Sequence, residues 1–394
     1  MVKNSIIWII GLAIALTSGL LAMGAVAKDK APALAVSLYP INGFAAENIA
    51  SESIKTSIAE NSGQFPDHVN PQGTEFALKA FIAEPITPEA IAVLAFAEAD
   101  QHKRKLMNKA LLLSRRESLV TAWMIADSGA RDDMPALLNH YDTMLRTNTS
   151  AAPVIITLMA DTLANDNFVA PFASLLTKQP PWAYQFWGTV AGKPESIVNA
   201  ARLREMLYKP YESDDIYRDA NLISALVRNQ QFETAEALYH LLVGQTEAKS
   251  LLKNGSFEAE PNYSPMDWEL FSTGEYGAII FDGNLKLSAI QNSGGLFARQ
   301  IVKLPRNSII ELSVMSTTKF PRDSRIYINL SCAESERGSP MVTKIYLNSN
   351  SVKRSLRTGD SKCDYFWIEL EGRASEAGGF DLNIDTIDLK SFDE

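Results

Sequence analysis

Near residue 250 the hydrophobic period of this chain changes. Upstream, apolar side chains recur three and four residues apart, the spacing of one helix face. Downstream they alternate in short runs, the spacing of a half-buried strand. The change falls between Lys249 and the run Asn254-Gly255-Ser256-Phe257-Glu258, with Trp268 following in Met266-Asp267-Trp268. A chain with that break, 394 residues long, exceeds a single compact core and predicts at least two bodies.

Before both bodies stands an apolar segment. From Ser5 to Ala27 there is no charge, and the run includes Ile6, Ile7, Trp8, Ile9, Ile10, Leu12, Leu16, Leu20 and Leu21. About 20 apolar residues in a helix cover a hydrocarbon core of about 30 Å, so the segment can span a membrane. Ala25-Val26-Ala27 also fits a small-x-small cleavage site, which leaves a secretory signal peptide as the rival reading. The run is longer than an ordinary signal h-region, which favours an uncleaved anchor. Lys3 precedes it and Lys28 and Lys30 follow, so the bias of basic residues does not orient it.

The net charge is −9, from 37 basic and 46 acidic residues, without a basic stripe. That balance argues against a nucleic-acid partner, whose phosphates need clustered Lys and Arg. Both cysteines, Cys332 and Cys363, fall in the strand-patterned part. Two readings stand for them: a disulfide in an oxidising compartment, or two buried free thiols. The first predicts a body outside the cytoplasm.

Residues 28–86 are interrupted by Gly63, Pro66, Asn70, Pro71, Gly73 and Pro85, and read as a spacer with short helices around 44–59 and 73–82. At Thr87-Pro88-Glu89 a regular helical series begins, with Thr as N-cap and Pro at the first helical position. A shift of 34 residues carries Met107 onto Tyr141, Ala110 onto Met144 and Ile91 onto Ile125. Ala235, Tyr239 and Leu242 repeat the spacing of Leu137, Tyr141 and Met144. Over residues 87–245 this resembles degenerate tetratricopeptide-type repeats, although most consensus Trp, Gly and Pro positions are absent. The resemblance implies a solenoid whose surface holds a partner protein. Trp182, Tyr184 and Trp187, crowded behind Pro180-Pro181, are candidates for that contact, with an inter-helix core as the plainer alternative.

Eight strands are predicted at Ala278–Phe281, Leu285–Ala289, Phe297–Val302, Ile309–Met315, Ile326–Leu330, Thr343–Leu347, Phe366–Leu370 and Phe380–Leu389, with turns such as Asp282-Gly283-Asn284 and Gly338-Ser339-Pro340 between them. The opening Asn254-Gly255-Ser256-Phe257-Glu258, the early Trp268, the run from Gly294 to Val302 and the closing Ile384-Asp385-Thr386-Ile387-Asp388-Leu389 resemble the galactose-binding-like jelly roll of carbohydrate-binding modules. That resemblance implies a sugar contacted by aromatic faces and polar side chains. Trp268, Phe271, Tyr276, Tyr365 and Trp367 are the aromatic candidates, and Trp268 and Trp367 have core plugs as their alternative. It also implies a structural calcium between the end strands, with Glu258, Asp385 and Asp388 as ligands.

No His-Glu-x-x-His, Cys-x-x-Cys, Gly-x-Ser-x-Gly or Walker-type run is present, and no catalytic residue is assigned. The fold class expected is multidomain α + β: an N-terminal membrane helix or signal peptide over 1–27, a spacer over 28–86, an α-α repeat solenoid over 87–250 and a jelly-roll β-sandwich over 251–394. The function expected is a non-catalytic scaffold or binding protein of a bacterial envelope, serving polysaccharide assembly or export. It would be held by a single pass in the inner membrane with its body in the periplasm, or released there after cleavage near Ala27. A protein–protein adaptor with a purely structural sandwich is the first alternative, and a polysaccharide-modifying enzyme the second.

Overall fold

The computed structural model describes residues 2–66, 69–208, 216–244, 250–321, 323–334, 341–358 and 363–392. The expected turn at Gly338-Ser339-Pro340 lies outside the described residues. The chain divides into two compact units, residues 1–156 with 180–182, and residues 157–179 with 183–394.

Fourteen α-helices come first among the described residues. They are α1 (Val2–Ala27), α2 (Pro32–Leu38), α3 (Gly43–Glu60), α4 (Pro71–Ala83), α5 (Pro88–Ala95), α6 (Asp100–Leu113), α7 (Ser118–Ala130), α8 (Met134–Thr147), α9 (Ala152–Thr162), α10 (Val169–Leu176), α11 (Ala183–Val190), α12 (Ile197–Leu207), α13 (Ile216–Arg228) and α14 (Phe232–Val243). Their starts obey local chemistry. Asn42, Asn70 and Asp133 cap α3, α4 and α8 with side-chain oxygens, and Pro32, Pro71 and Pro88 stand where a missing N–H costs nothing.

Thr87 is the N-cap of α5, but its side chain does not close the helix. The Glu47 carboxylate on α3 does so instead, accepting the N–H groups of Glu89 (2.8 Å) and Ala90 (3.3 Å). Residues 43–60 and 71–83 are therefore packed rather than loose. Ala46, Ala50 and Ile54 of α3 and Ala77 and Ala80 of α4 share one core with Ala92 and Val93 of α5 and Val120 and Trp123 of α7. Helices α6 and α8 begin 34 residues apart, as the repeat period requires, whereas α5 and α7 begin 30 apart. In the second unit, Phe172 stacks on Phe186 at 5.2 Å, and Phe186 meets Trp187 edge-on at 5.6 Å.

From residue 269 the described residues form ten strands: β1 (Glu269–Leu270), β2 (Tyr276–Phe281), β3 (Asn284–Ala289), β4 (Gly294–Lys303), β5 (Ile309–Ser316), β6 (Arg325–Cys332), β7 (Met341–Tyr346), β8 (Ser351–Arg357), β9 (Tyr365–Arg373) and β10 (Phe380–Phe392). They make two antiparallel five-stranded sheets, ordered β1-β4-β9-β6-β7 and β2-β3-β10-β5-β8. The inner faces enclose Phe297, Phe366, Leu370, Leu382, Ile384 and Ile387, all removed from water. Each such side chain contributes about 1.5–3 kcal/mol of burial.

The opening motif explains itself here. Gly255 lies against the Ile387 carbonyl so closely that any Cβ would overlap it, and its own carbonyl accepts the Ile387 N–H at 2.9 Å. Asn254 and Phe257 adopt left-handed φ of 50° and 55°, bending the segment over the last strand. Phe257 then packs on Trp268 at 5.7 Å, and the Trp268 indole N–H donates to the Asn254 carbonyl at 3.2 Å. The motif is thus a clasp between the first and last segments of the sandwich.

Gln300 faces inward on β4 and is wholly buried. It is satisfied by the same segment, accepting from the Lys253 N–H (2.8 Å) and donating to the Lys253 carbonyl (3.0 Å). Cys332, at the end of β6, and Cys363, just before β9, form a disulfide with a Cα–Cα distance of 6.0 Å. Of the two readings of the cysteines, the bridged one holds.

Candidate functional site

Strand β9 runs through the middle of the first sheet, and its residues alternate strictly. Phe366, Ile368 and Leu370 point into the core, so Trp367, Glu369 and Glu371 stand on the outer face. The register then fixes their neighbours. Across one row lie Glu269, Arg299, Glu369, Asn329 and Lys344, and across the next Leu296, Glu371, Tyr327 and Tyr346.

These side chains are organised. The Arg299 guanidinium sits over the Trp367 ring at 4.5 Å and the Phe271 ring at 5.4 Å, and pairs with Glu269 at 2.6 Å. The Tyr327 hydroxyl donates to Glu371 at 2.7 Å, and Asn329 donates to the other oxygen of the same carboxylate. Burial, then the hydrogen bond to Glu371, pushes the Tyr327 phenol up to about 12. Lys344 lies over the Tyr327 ring at 3.6 Å, and Tyr346 stands 5.7 Å from Tyr327. Burial raises the Glu369 carboxyl, with the Glu371 charge adding to it and Arg299 opposing. The side-chain oxygen of Asn329 is buried without a hydrogen-bond partner.

The face therefore offers rings, a fixed guanidinium, two carboxylates and an amide at consecutive cross-strand positions. Ring faces take the C–H surfaces of a pyranose. Carboxylate, amide and guanidinium take its hydroxyls, each charged hydrogen bond being about twice as strong as a neutral one.

The aromatic candidates separate. Trp367 and Phe271 belong to this face, on either side of Arg299. Trp268 does not: it is wholly buried against Phe257, which leaves it a core plug. Tyr365 is also withdrawn, although it shares the outward parity of β9. It is 3% exposed, stacked on Phe232 of α14 at 5.2 Å, with its hydroxyl donating to Glu236 at 2.7 Å.

Tyr276 belongs to the second sheet, half-buried and edge-on to Phe297 at 5.2 Å. It lines a separate groove of about 930 Å³ with Thr273, Glu275, Lys286, Ser288 and Asp381. The structure does not gather the five aromatics into one site. Arg299, Asn329, Tyr327 and Glu269 were not expected at all. Alternation within the predicted strand Ile326–Leu330 would have placed Asn329 and Tyr327 on an outer face, whereas within Phe297–Val302 it groups Arg299 with the buried Phe297, and the register shift between Leu296 and Ala298 is what turns Arg299 outward.

The calcium ligands do not assemble. Glu258 is exposed, Asp388 pairs with Lys390 at 2.7 Å, and Asp385 accepts from Thr386 at 2.9 Å. Among the described residues the group of three metal-ligating side chains is Cys332, Glu334 and Cys363, whose sulfurs are bonded to each other. The reason is positional: the clasp brings backbone, not carboxylates, to the last strand.

Of the helical candidates, Trp182 is 5% exposed and donates its indole N–H to Asp142 at 2.9 Å, inside the first unit. Trp187 is 7% exposed in the second unit, beneath Arg218 at 5.7 Å. Both rings are withdrawn from solvent, Trp182 in the turn ahead of α11 and Trp187 on the inward side of α11 with Phe186. Tyr184 remains on the surface at 76%. His102, His140 and His240 sit on three different helices, α6, α8 and α14.

No family model matches the chain, and no curated protein matches it. Solved structures do. One described as "CBM4 structure and function" is 13% identical with a TM-score of 0.26, covering 36% of this chain and 99% of that one. A family 16 carbohydrate-binding module is 18% identical with a TM-score of 0.23, covering 36% and 99%. A structure of accessory secretory proteins 1, 2 and 3 in Streptococcus pneumoniae is 11% identical with a TM-score of 0.23, covering 38% and 99%. At these values nothing about a ligand passes from them to this chain.

Proposed function

We propose that this protein is a non-catalytic carbohydrate-binding component of a bacterial cell envelope, held by α1 and grasping glycan on the outer face of the first sheet. The observation that carries the reading is the array centred on Arg299, with Trp367 and Phe271 beside it and Glu369, Asn329 and Glu371 in the adjoining positions. A purely structural sheet has no need to order a guanidinium between two rings at its surface. The disulfide supports a body in an oxidising compartment, and α1 is long and apolar enough to serve as the anchor. The helical units would then present a surface to an envelope protein in the manner of tetratricopeptide-type repeats.

The test is calorimetric titration of the full chain in detergent with envelope polysaccharide fragments, beside Trp367→Ala and Arg299→Met. Loss of one stacked aromatic weakens a sugar contact by about 0.5–1.5 kcal/mol beyond lost area, so Trp367→Ala binds at least several-fold more weakly with an unchanged melting temperature. Full-strength binding by both variants would remove the face from the reading.

The adaptor reading is favoured by one observation, the exposed ring of Tyr184 on α11. Under it, Tyr184→Ala loses a protein partner in cross-linking of intact envelopes while glycan titration gives no heat with either form.

A further inference from the structure

Helix α1 does not end in a free link. The Lys28 N–H donates to the Gly24 carbonyl at 3.1 Å, the Asn42 side chain donates to the same carbonyl at 3.2 Å, and Asn48 donates to the Lys28 carbonyl at 2.9 Å. Gly24 is buried, and its missing side chain leaves room for Asn42 and Tyr39 to lie against the helix. The segment α2–α4 is thereby fixed to the end of α1.

That attachment sets a depth. The apolar span runs from Trp8 to Ala27. At about 1.5 Å per residue, Leu21 lies about 9 Å and Ala25 about 3 Å short of its end. Both line a groove of about 750 Å³ with Tyr39, Ile41, Phe44 and Ile82. If α1 crosses a bilayer, this groove stands at the level where headgroups give way to acyl chains.

The residues there suit that level. Helix α4 turns Ala77 and Ala80 inward and leaves Leu78, Phe81 and Ile82 between 40% and 73% exposed at one-, three- and four-residue spacing, an apolar face open to solvent over much of its area. Ile41 is 64% exposed and Ile82 73%. Lys28 lies over Phe44 at 5.0 Å, and Lys79 lies over Phe76 at 5.2 Å while pairing with Glu75. Long cationic side chains rising over apolar rings are the pattern of an interfacial helix.

We propose that the outward face of α4, together with Ile41, is seated in the bilayer interface, so that α2–α4 forms a foot resting on the lipid. The proposal rests on the anchor reading given above. Lipid is the occupant because the face is continuous with the span: a bilayer around Leu21 and Ala25 reaches Ile41 and Ile82 without any further partner.

Single cysteines at Ile41, Ile82, Leu16 and Leu112 test it in the full chain, since the native cysteines are bonded to each other. Each is labelled with a nitroxide and reconstituted in phosphatidylcholine–phosphatidylglycerol vesicles. Its collisions with oxygen, which enters lipid, are compared with those of a water-soluble nickel chelate. Leu16 reports the span, and Leu112 reports water, being 83% exposed on α6. The expected result is an oxygen-to-nickel ratio at Ile41 and Ile82 several-fold above that at Leu112 and approaching that at Leu16. Ratios at both sites equal to Leu112, with Leu16 in lipid, overturn the foot and leave the anchor. A water-like ratio at Leu16 overturns the anchor reading itself. Exclusion of both reagents at Ile82 marks a protein cover and overturns the lipid assignment.

Discussion

Arg204 and Asp219 form the most deeply buried ion pair among the described residues, with side chains 2% and 1% exposed and two parallel hydrogen bonds of 2.9 Å. Arg218 also pairs with Asp219 at 3.0 Å, so the buried carboxylate is shared by two guanidinium groups. Asp219→Ala takes the carboxylate from both guanidinium groups and is expected to destabilise by about 3–5 kcal/mol, read as a lower urea midpoint. Arg299 is the contrasting case. Its side chain is about a third exposed, between Trp367 and Phe271, so Arg299→Met is expected to move glycan affinity far more than the urea midpoint. Depth separates the two arginines, and depth is not written in the residue type.

At the scale of elements, α14 and β9 are joined through Tyr365. Its ring stacks on Phe232 and its hydroxyl donates to Glu236, and burial, then that hydrogen bond, raises the phenol. Tyr365→Ala leaves a cavity between helix and sheet, at a cost of about 3–5 kcal/mol typical for large aromatics, and is expected to speed amide exchange across Phe232–Val243.

A second junction joins α3, α5 and α7 through Glu47, Glu89 and Glu117. Burial, then the hydrogen bond and charge of Glu89 and the charge of Glu47, raises Glu117 from 4.5 to about 7, with Lys55 opposing. A raised carboxyl binds its proton more tightly folded than unfolded. Its stabilising effect is thus complete below about 4.5 and is lost as pH rises through about 7. Glu117→Gln is expected to raise the melting temperature above that pH and to leave it unchanged below 4.5.

These junctions mark where sequence reading stops. Eight of the strands were legible from alternation, while β8 was not, because Ser351–Arg357 carries the Lys and Arg that guard an edge strand. The parity of β9 was legible too, yet it grouped Tyr365 with Trp367. Only the tertiary contact with α14 shows that one ring is covered and the other open.

For the whole molecule, the disulfide ties location to stability. Cys332 and Cys363 are separated by 31 residues, and closing a loop of that length stabilises by about 3–4 kcal/mol on the chain-entropy model. The bridge lies within the sandwich, joining the end of β6 to the approach of β9, the two strands that carry Asn329, Tyr327, Trp367 and the paired acids. Reduction therefore acts on the proposed binding face directly, while the first helical unit contains no sulfur bridge to lose. Chain lacking α1, made in a reducing cytoplasm, is expected to show a lower guanidinium midpoint for the sandwich than chain exported and oxidised. Oxidation in vitro should restore it. Amide exchange at β6 and β9 reads the sandwich, and exchange at the α3–α7 amides serves as the internal reference. Equal sandwich midpoints in the two redox states would mean that the bridge contributes nothing to stability and that its value as a sign of an oxidising compartment is lost with it.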